Sequence, residues 1–328
     1  MSEIKRILLT GAAGYIGSAI ARDLEAAGFL VVAVSRRAVS VDAGDSGAVQ
    51  SEGSGAAPES PGNRSESPEK LRSEYQTGER VVCDLTDAEA TARALAHIKP
   101  CDGIVHAAAR IDSGKSAVEG SLSMLRNLFD ATSAWNARWI YLSSVSIYGD
   151  ADRTAPVAAA TAELRPATNY GRSKLACEEF LQQQNAPDCR ILRVTPVYSP
   201  GARRNVAVRV YLPGTPIRMR IRPEPRHSLC ALAGLAAQVR RHLLEAAPRR
   251  IVEHAADAEV YGQHELAAQF ERGPLLPISE IIFRPMYRIL CWIPGGLAYR
   301  LRCVYWKLFR SNVYEPPAAI PPGGARPR

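Results

Sequence analysis

The sequence has no Cys-x-x-Cys pair, no compact block of lysine and arginine, and no uncharged apolar run of the roughly 18 residues a membrane span needs. Each absence removes a class of protein. The seven cysteines, Cys83, Cys101, Cys177, Cys189, Cys230, Cys291 and Cys303, are odd in number and widely spaced. That argues against zinc or redox chemistry and for reduced thiols in a cytoplasmic protein. The apolar run after Lys5-Arg6 is only a few residues long before the first glycine, too short for a signal-peptide core. His227, His254 and His264 lack metal-ligand spacing, so no metal is expected and the three read as surface or packing residues. The net charge is +8, yet the cations are dispersed. Nucleic acid is therefore not expected as a partner, and small anions such as nucleotides are.

What is present is enough apolar material for a core: 328 residues, of which 46% are hydrophobic. Ile7-Leu8-Leu9 reads as a strand ending at Gly11. Ile16, Ala19, Ile20, Leu24 and Ala27 then fall at helical spacing up to Gly28, and Leu30 to Val34 is a second strand. Strand, glycine loop, helix and strand make a βαβ unit. From Ala38 to Gly78 the composition turns to Ser, Gly, Glu, Pro and Ala, which predicts a disordered insertion over 38–79. Structure resumes with a strand at Val81 to Cys83, a helix over 87–97, a strand at 103–106, a helix over 122–135 and a strand at 139–142. Another helix and the strand at Ile191-Leu192 continue the alternation. The expected fold is α/β, a Rossmann doubly wound parallel sheet over 1–200 with a smaller C-terminal substrate-covering region over 201–275. A basic aromatic helical extension over 276–314 and a disordered Pro/Gly tail over 315–328 complete the expected organisation.

Gly11, Gly14, Tyr15, Ile16 and Gly17 form the loop and helix start expected to hold a dinucleotide pyrophosphate. There the glycines permit a tight turn, close backbone approach and close helix packing, and the helix N-terminus offers free N–H groups and partial positive charge. At the end of the second strand, where an acid would favour NAD, stand Ser35, Arg36 and Arg37. A guanidinium suits a ribose 2′-phosphate, so NADP(H) is expected over NAD(H); the alternative is a solvated strand end. Asp84 could accept from the adenine amino group with Leu85 packed beside it, or could be a helix cap ahead of Asp87. Ala107, Ala108 and Ala109 end the next strand at the carboxyl edge, as crevice lining or as plain close packing.

Tyr170 and Lys174, four apart in a helical stretch, project from one face. An ammonium beside a phenol stabilises the phenolate, so this pair can exchange a proton with a substrate hydroxyl. Ser144, at a strand end, could hydrogen-bond the reacting oxygen; Ser143 and Ser146 compete with it by type. Together with Asp84-Leu85, His106-Ala107-Ala108, Ser143 to Gly149, Glu163 to Glu178, Leu192-Arg193 and Val197 to Gly201, these motifs occur in order from Ile4 to about Gly201. In them the chain resembles the extended short-chain dehydrogenase/reductase superfamily, in its NAD(P)-dependent nucleotide-sugar epimerase/dehydratase branch, of the UDP-galactose 4-epimerase type. The resemblance implies Ser144 as the catalytic serine, Tyr170 as acid/base, and Lys174 on the nicotinamide ribose while lowering the tyrosine pKa. The chain departs from the pattern in its insertion after Arg37, in Ser121 where the branch commonly has asparagine, and in Ser35.

The arginines at 203, 204, 209, 218, 220, 222 and 226 lie where relatives cover the substrate. A diphosphate would need one or two such forks, and most are expected to be solvated. The segment 281–310 interleaves aromatics with arginines and contains no acid. It could lie on an anionic membrane at its inner face, or pack on the substrate-covering region or a partner in a homodimer; Pro285 and Pro294-Gly295-Gly296 are expected to break it into two short helices. Three functions are open: a nucleotide-sugar epimerase or 4-ketoreductase, an NADPH-dependent reductase of a lipid-like or small carbonyl compound, and a non-catalytic NADP(H)-binding regulator, against which the Ser/Tyr/Lys set argues.

Overall fold

The computed structural model describes residues 5–36, 79–110, 116–159, 161–184, 188–245, 250–293 and 296–317. Arg37, all of the expected insertion but Glu79, and the tail from residue 318 lie outside the described residues.

Apolar runs buried on both faces make the central strands. β1 (Arg6–Thr10), β2 (Leu30–Ser35), β3 (Glu79–Val82), β4 (Gly103–His106), β5 (Arg138–Ser144), β7 (Cys189–Val194) and β12 (Arg250–Ala255) form one parallel sheet in the order β12-β7-β5-β4-β1-β2-β3. The period of two divides each strand between two cores. Ile7 and Leu9 of β1 pack with Ile20 and Leu24 of α1 (Tyr15–Ala26) and Leu235 and Val239 of α6 (Leu232–Leu244). Leu8 points the other way, toward the core of Leu95 in α2 (Ala88–Ala96), Leu125 and Leu128 in α3 (Ser116–Thr132), and Cys177 and Leu181 in α4 (Asn169–Gln183). The chain order reverses between β1 and β4, which places the ligand crevice of such sheets at their carboxyl ends.

The remaining strands are short. β6 (Arg153–Val157), β10 (Arg226–Ser228), β13 (Val260–Gly262) and β15 (Asn312–Tyr314) make a mixed sheet in the order β13-β10-β15-β6. β8 (Val197–Tyr198) pairs with β11 (Cys230–Ala231), and β9 (Arg218–Arg222) with β14 (Leu275–Ser279). Short helices α5 (Arg204–Ala207) and α7 (Gln263–Ala268) join them.

Two expectations are corrected. The span 201–275 does not lie wholly outside the main sheet, because α6 packs on α1 and β12 pairs in register with β7, from Arg250 opposite Cys189 to Ala255 opposite Val194. Pro285 does not break the extension, since it lies inside α8 (Glu280–Trp292). It is exposed, so its ring meets no packed neighbour and the helix forgoes one ladder bond, that to the Ile281 carbonyl. α8 ends at Trp292 and the second helix, α9 (Gly296–Phe309), is separate from it, while Pro294 and Gly295 lie outside the described residues.

Candidate active site

The glycine loop is shaped by contacts that leave no room for side chains. Gly11 has φ +72°, and its N–H donates to Val34 O at 3.1 Å. A Cβ on Gly17 would lie 2.1 Å from Gly11 O, and one on Gly11 would lie 2.8 Å from the Ala108 nitrogen. Those gaps are far below van der Waals contact, so the first turn of α1 sits directly on the end of β1. α1 is capped by Gly14, with no side-chain hydrogen bond to its first N–H groups. An unclaimed helix N-terminus above a cradle this narrow fits a dinucleotide pyrophosphate. Tyr15 anchors the turn, its hydroxyl donating to Ser199 Oγ at 2.9 Å, while Ile16 packs against the core beneath.

Around this loop the other expected cofactor residues are brought to one sheet edge. Ser35 is half-buried at the end of β2 and Arg36 is exposed beside it. Asp84 accepts from the Thr86 N–H at 3.0 Å and Thr86 Oγ1 at 2.8 Å; these bonds, with the nearby Arg36 and Arg110, hold its carboxyl below the usual range. It therefore closes a local turn, whereas the cap of α2 is Asp87, which accepts from Ala90 N. Leu85 is buried, and its carbonyl accepts from Asn127 Nδ2 at 2.8 Å. Ala107 to Ala109 follow β4 half-buried, with Ala108 N donating to Thr10 Oγ1. Thr10 Oγ1 is also 2.8 Å from Nδ1 of the buried His106, whose imidazole is pushed down to about 3 by burial and by Lys174.

Ser144 ends β5, and the helix cap Thr168 starts α4 by accepting from Gly171 N, so that Tyr170 falls in its first turn. The Tyr170 phenol lies beside Ser144. Burial raises it above the ordinary tyrosine value, and the nearby Ser144 hydroxyl opposes the rise. Lys174 is almost fully buried and donates to Leu142 O at 2.6 Å, its nitrogen 5.9 Å from the centre of the Tyr170 ring. Burial lowers its ammonium to about 8 against the pull of Cys177 and Glu178. In this arrangement it is the Leu142 carbonyl, and not the phenol, that takes the lysine's hydrogen bond.

The geometry also separates the three serines. Ser143 is directed to Glu178 Oε1 on the far side, while Ser146 Oγ donates to Ser144 Oγ at 3.0 Å. Behind Ser143 lies a buried polar network absent from the sequence reading. Arg193 pairs with Glu178 at 2.7 Å and donates to the Tyr148 hydroxyl at 2.9 Å, and that hydroxyl is 2.7 Å from His254 Nε2. Its one sequence signal is Glu178 four residues beyond Lys174, on the same face of α4. Ser121 is buried, and its hydroxyl has no hydrogen-bond partner among the described residues.

Of the seven arginines over 203–226, of which most were expected to be solvated, three are engaged. Arg209 is buried, Arg203 stacks 4.4 Å from the Phe270 ring and bonds Gln269, and Arg218 donates to the carbonyls of Gly273 and Phe270. Arg220, Arg222 and Arg226 are exposed, as is Arg204. His227 and His254 are buried packing residues. Among the described residues no three His, Cys, Asp or Glu side chains gather to hold a metal, and no helix is long and apolar enough to cross a membrane.

The same fold occurs in solved structures. ADP-L-glycero-D-manno-heptose-6-epimerase of Helicobacter pylori superposes with TM-score 0.62 at 18% identity, over 84% of this chain and 86% of that one. The UDP-glucose 4-epimerase of Thermus thermophilus, in complex with NAD, gives 0.58 at 20% identity, over 92% and 97%. MoeE5, in complex with UDP-glucose and NAD, gives 0.58 at 19% identity, over 84% and 85%. No curated protein sequence matches the chain significantly. The family model for the NAD dependent epimerase/dehydratase family matches residues 7–214. This match spans well over half the chain and includes the glycine loop, Ser144, Tyr170 and Lys174, so the protein belongs to the NAD dependent epimerase/dehydratase family, within the extended short-chain dehydrogenases/reductases.

Proposed function

We propose that the protein interconverts a hydroxyl and a keto group on the sugar of a nucleotide-sugar, with Tyr170 as acid/base. The observation that carries this reading is the meeting of Ser144 and Tyr170 at the carboxyl end of β5, with Lys174 one turn further along α4 and its nitrogen 5.9 Å from the Tyr170 ring centre. Support for the substrate class comes from relatives described with UDP-glucose or named for nucleotide-sugars. A bound nicotinamide dinucleotide would supply hydride to, or take it from, the carbon bearing the reacting oxygen. Its pyrophosphate would lie on Gly11 to Gly17, its adenine by Asp84 and Leu85, its nicotinamide end by Ala107 to Ala109, and its nicotinamide ribose against Lys174. Ser144 Oγ orients the substrate oxygen by a hydrogen bond. Tyr170 Oη takes the hydroxyl proton during oxidation and returns it during reduction.

The test is a panel of UDP-hexoses, 4-keto nucleotide-sugars, and lipid-like and simple ketones. Turnover is expected on the nucleotide-sugars. Tyr170→Phe should cut it by roughly 10²–10⁴-fold while dinucleotide binding, measured by fluorescence titration, is retained. Full activity in Tyr170→Phe, or turnover confined to ketones without a nucleotide, overturns the proposal.

A second reading concerns the cofactor. Relatives are described with NAD, whereas Ser35 and the exposed Arg36 suit the ribose 2′-phosphate of NADP(H). Arg36→Gln is expected to weaken NADPH binding by about tenfold, as for one lost charge-assisted contact, and to leave NADH nearly unchanged. Equal losses for the two cofactors would refute the preference.

A further inference from the structure

Helix α8 is apolar on both sides, unlike a surface helix of an ordinary globular protein. Its inner face is fully engaged. Tyr287 stacks on Tyr305 at 4.2 Å, Phe283 on Phe309 at 5.2 Å, and the buried Glu280 accepts from the Tyr305 hydroxyl at 2.6 Å. Its outer face carries Ile282, Met286, Ile289 and Trp292, of which Ile282 is 72% and Trp292 88% exposed. Leu297 and Leu301, one turn apart on α9, extend the exposed apolar surface. Isolated exposed apolar side chains are ordinary, but a whole helix face rimmed by charge marks a docking surface.

The chemistry of the rim selects the occupant. Arg288 is exposed on α8 one turn before Trp292, Arg284 pairs with Glu280 at 3.3 Å, and residues 281–314 contain no acid at all. A two-fold contact between copies of this face would bring Arg288 toward Arg288, and Glu280, the one carboxylate of the hairpin, is buried and already engaged by Arg284, Arg310 and Tyr305. An anionic bilayer satisfies both parts at once, taking the isoleucines and tryptophan below the headgroups and the arginines at the phosphates. α8, at 13 residues, is too short to span and long enough to lie in the interface. We propose that α8 and the start of α9 form a monotopic docking surface for anionic membranes. The inner side of the same hairpin reaches the catalytic elements. Tyr299 lies near Thr168, the cap of α4, and Tyr287 donates to Asp150 at 3.3 Å, just beyond the segment that begins at Ser144.

The test is flotation of the full chain with vesicles of phosphatidylcholine alone and of phosphatidylcholine mixed with phosphatidylglycerol. Binding is expected on the anionic vesicles only, and should fall as salt is raised. Arg288→Gln is expected to weaken partitioning by roughly fivefold. The triple substitution Ile282→Ser, Ile289→Ser and Trp292→Ser should abolish it while leaving the thermal melting unchanged, since these side chains support no core. Absence of flotation, equal flotation on both vesicles, or a solution dimer that the triple substitution dissociates without any lipid binding would each overturn the proposal.

Discussion

Ser143 and Ser144 are neighbours of identical chemistry that the pleat of β5 sends to opposite sides. Ser144 meets Tyr170, and Ser143 completes the coordination of Glu178, whose other oxygen is held by Arg193. Substituting each by alanine is expected to separate site from scaffold. Ser144→Ala should lower kcat by about 10²-fold through loss of a positioned hydrogen bond to the reacting oxygen, with little change in melting. Ser143→Ala should leave kcat within about twofold and cost on the order of 1–2 kcal/mol in urea unfolding, because a buried carboxylate loses a donor. The reverse pattern would move the catalytic assignment to Ser143.

At the scale of elements, the sequence carried the frame of the main sheet and the glycine loop because both depend on local pattern. Ile7-Leu8-Leu9 and Gly11 to Gly17 are contiguous, and Tyr170 and Lys174 are one helical turn apart. What escaped was long-range or contrary to residue-type averages. β7 carries two arginines in six residues, yet Arg190 and Arg193 are buried because Asp188, Glu245 and Glu178 neutralise them. β12 was hidden in a stretch of ordinary composition and joins the sheet only through its parallel partner β7. β15 is three residues long, too short for a period, and yet it lies between β10 and β6. Its Tyr314 stacks on Tyr148 at 5.4 Å and lies 5.1 Å from the His254 ring. Tyr314→Ala is therefore expected to cost about 3–5 kcal/mol, as for other buried aromatics, and to reduce turnover through the loosened Tyr148, although Tyr314 lies outside the proposed catalytic set. A loss below about 1 kcal/mol in urea unfolding, smaller than any core truncation of this size, would show β15 to be peripheral to the packing.

For the whole molecule, the buried titratable groups set the pH range over which the fold is stable. His254 donates from Nδ1 to the Glu315 carbonyl at 3.1 Å, so its Nε2 is the acceptor for Tyr148 and the ring is neutral. Burial lowers its pKa from 6.5 to about 4, with Arg193 adding to the effect. His106 is lowered to about 3, and His227 also lies well below its ordinary value, for the same principal reason. An unfolded chain takes up these protons as the pH drops below 6.5 and the folded one does not, so the stability they confer is whole above that pH and drains away toward pH 4. At the alkaline end Tyr314, raised from 10.0 to about 12 by burial, acts in the opposite sense: its contribution is whole below pH 10 and is lost as the pH rises through 12. The expected profile is a plateau falling on both sides. On the acid side His254 alone accounts for on the order of 3 kcal/mol between pH 6.5 and 4. His254→Gln, which can still accept from Tyr148 but does not titrate, should melt several degrees less steeply with falling pH across that window. Parallel melting curves for the two proteins would place the acid sensitivity elsewhere, in carboxylates such as Glu253, whose bonds from His242 and Gln238 hold its pKa down.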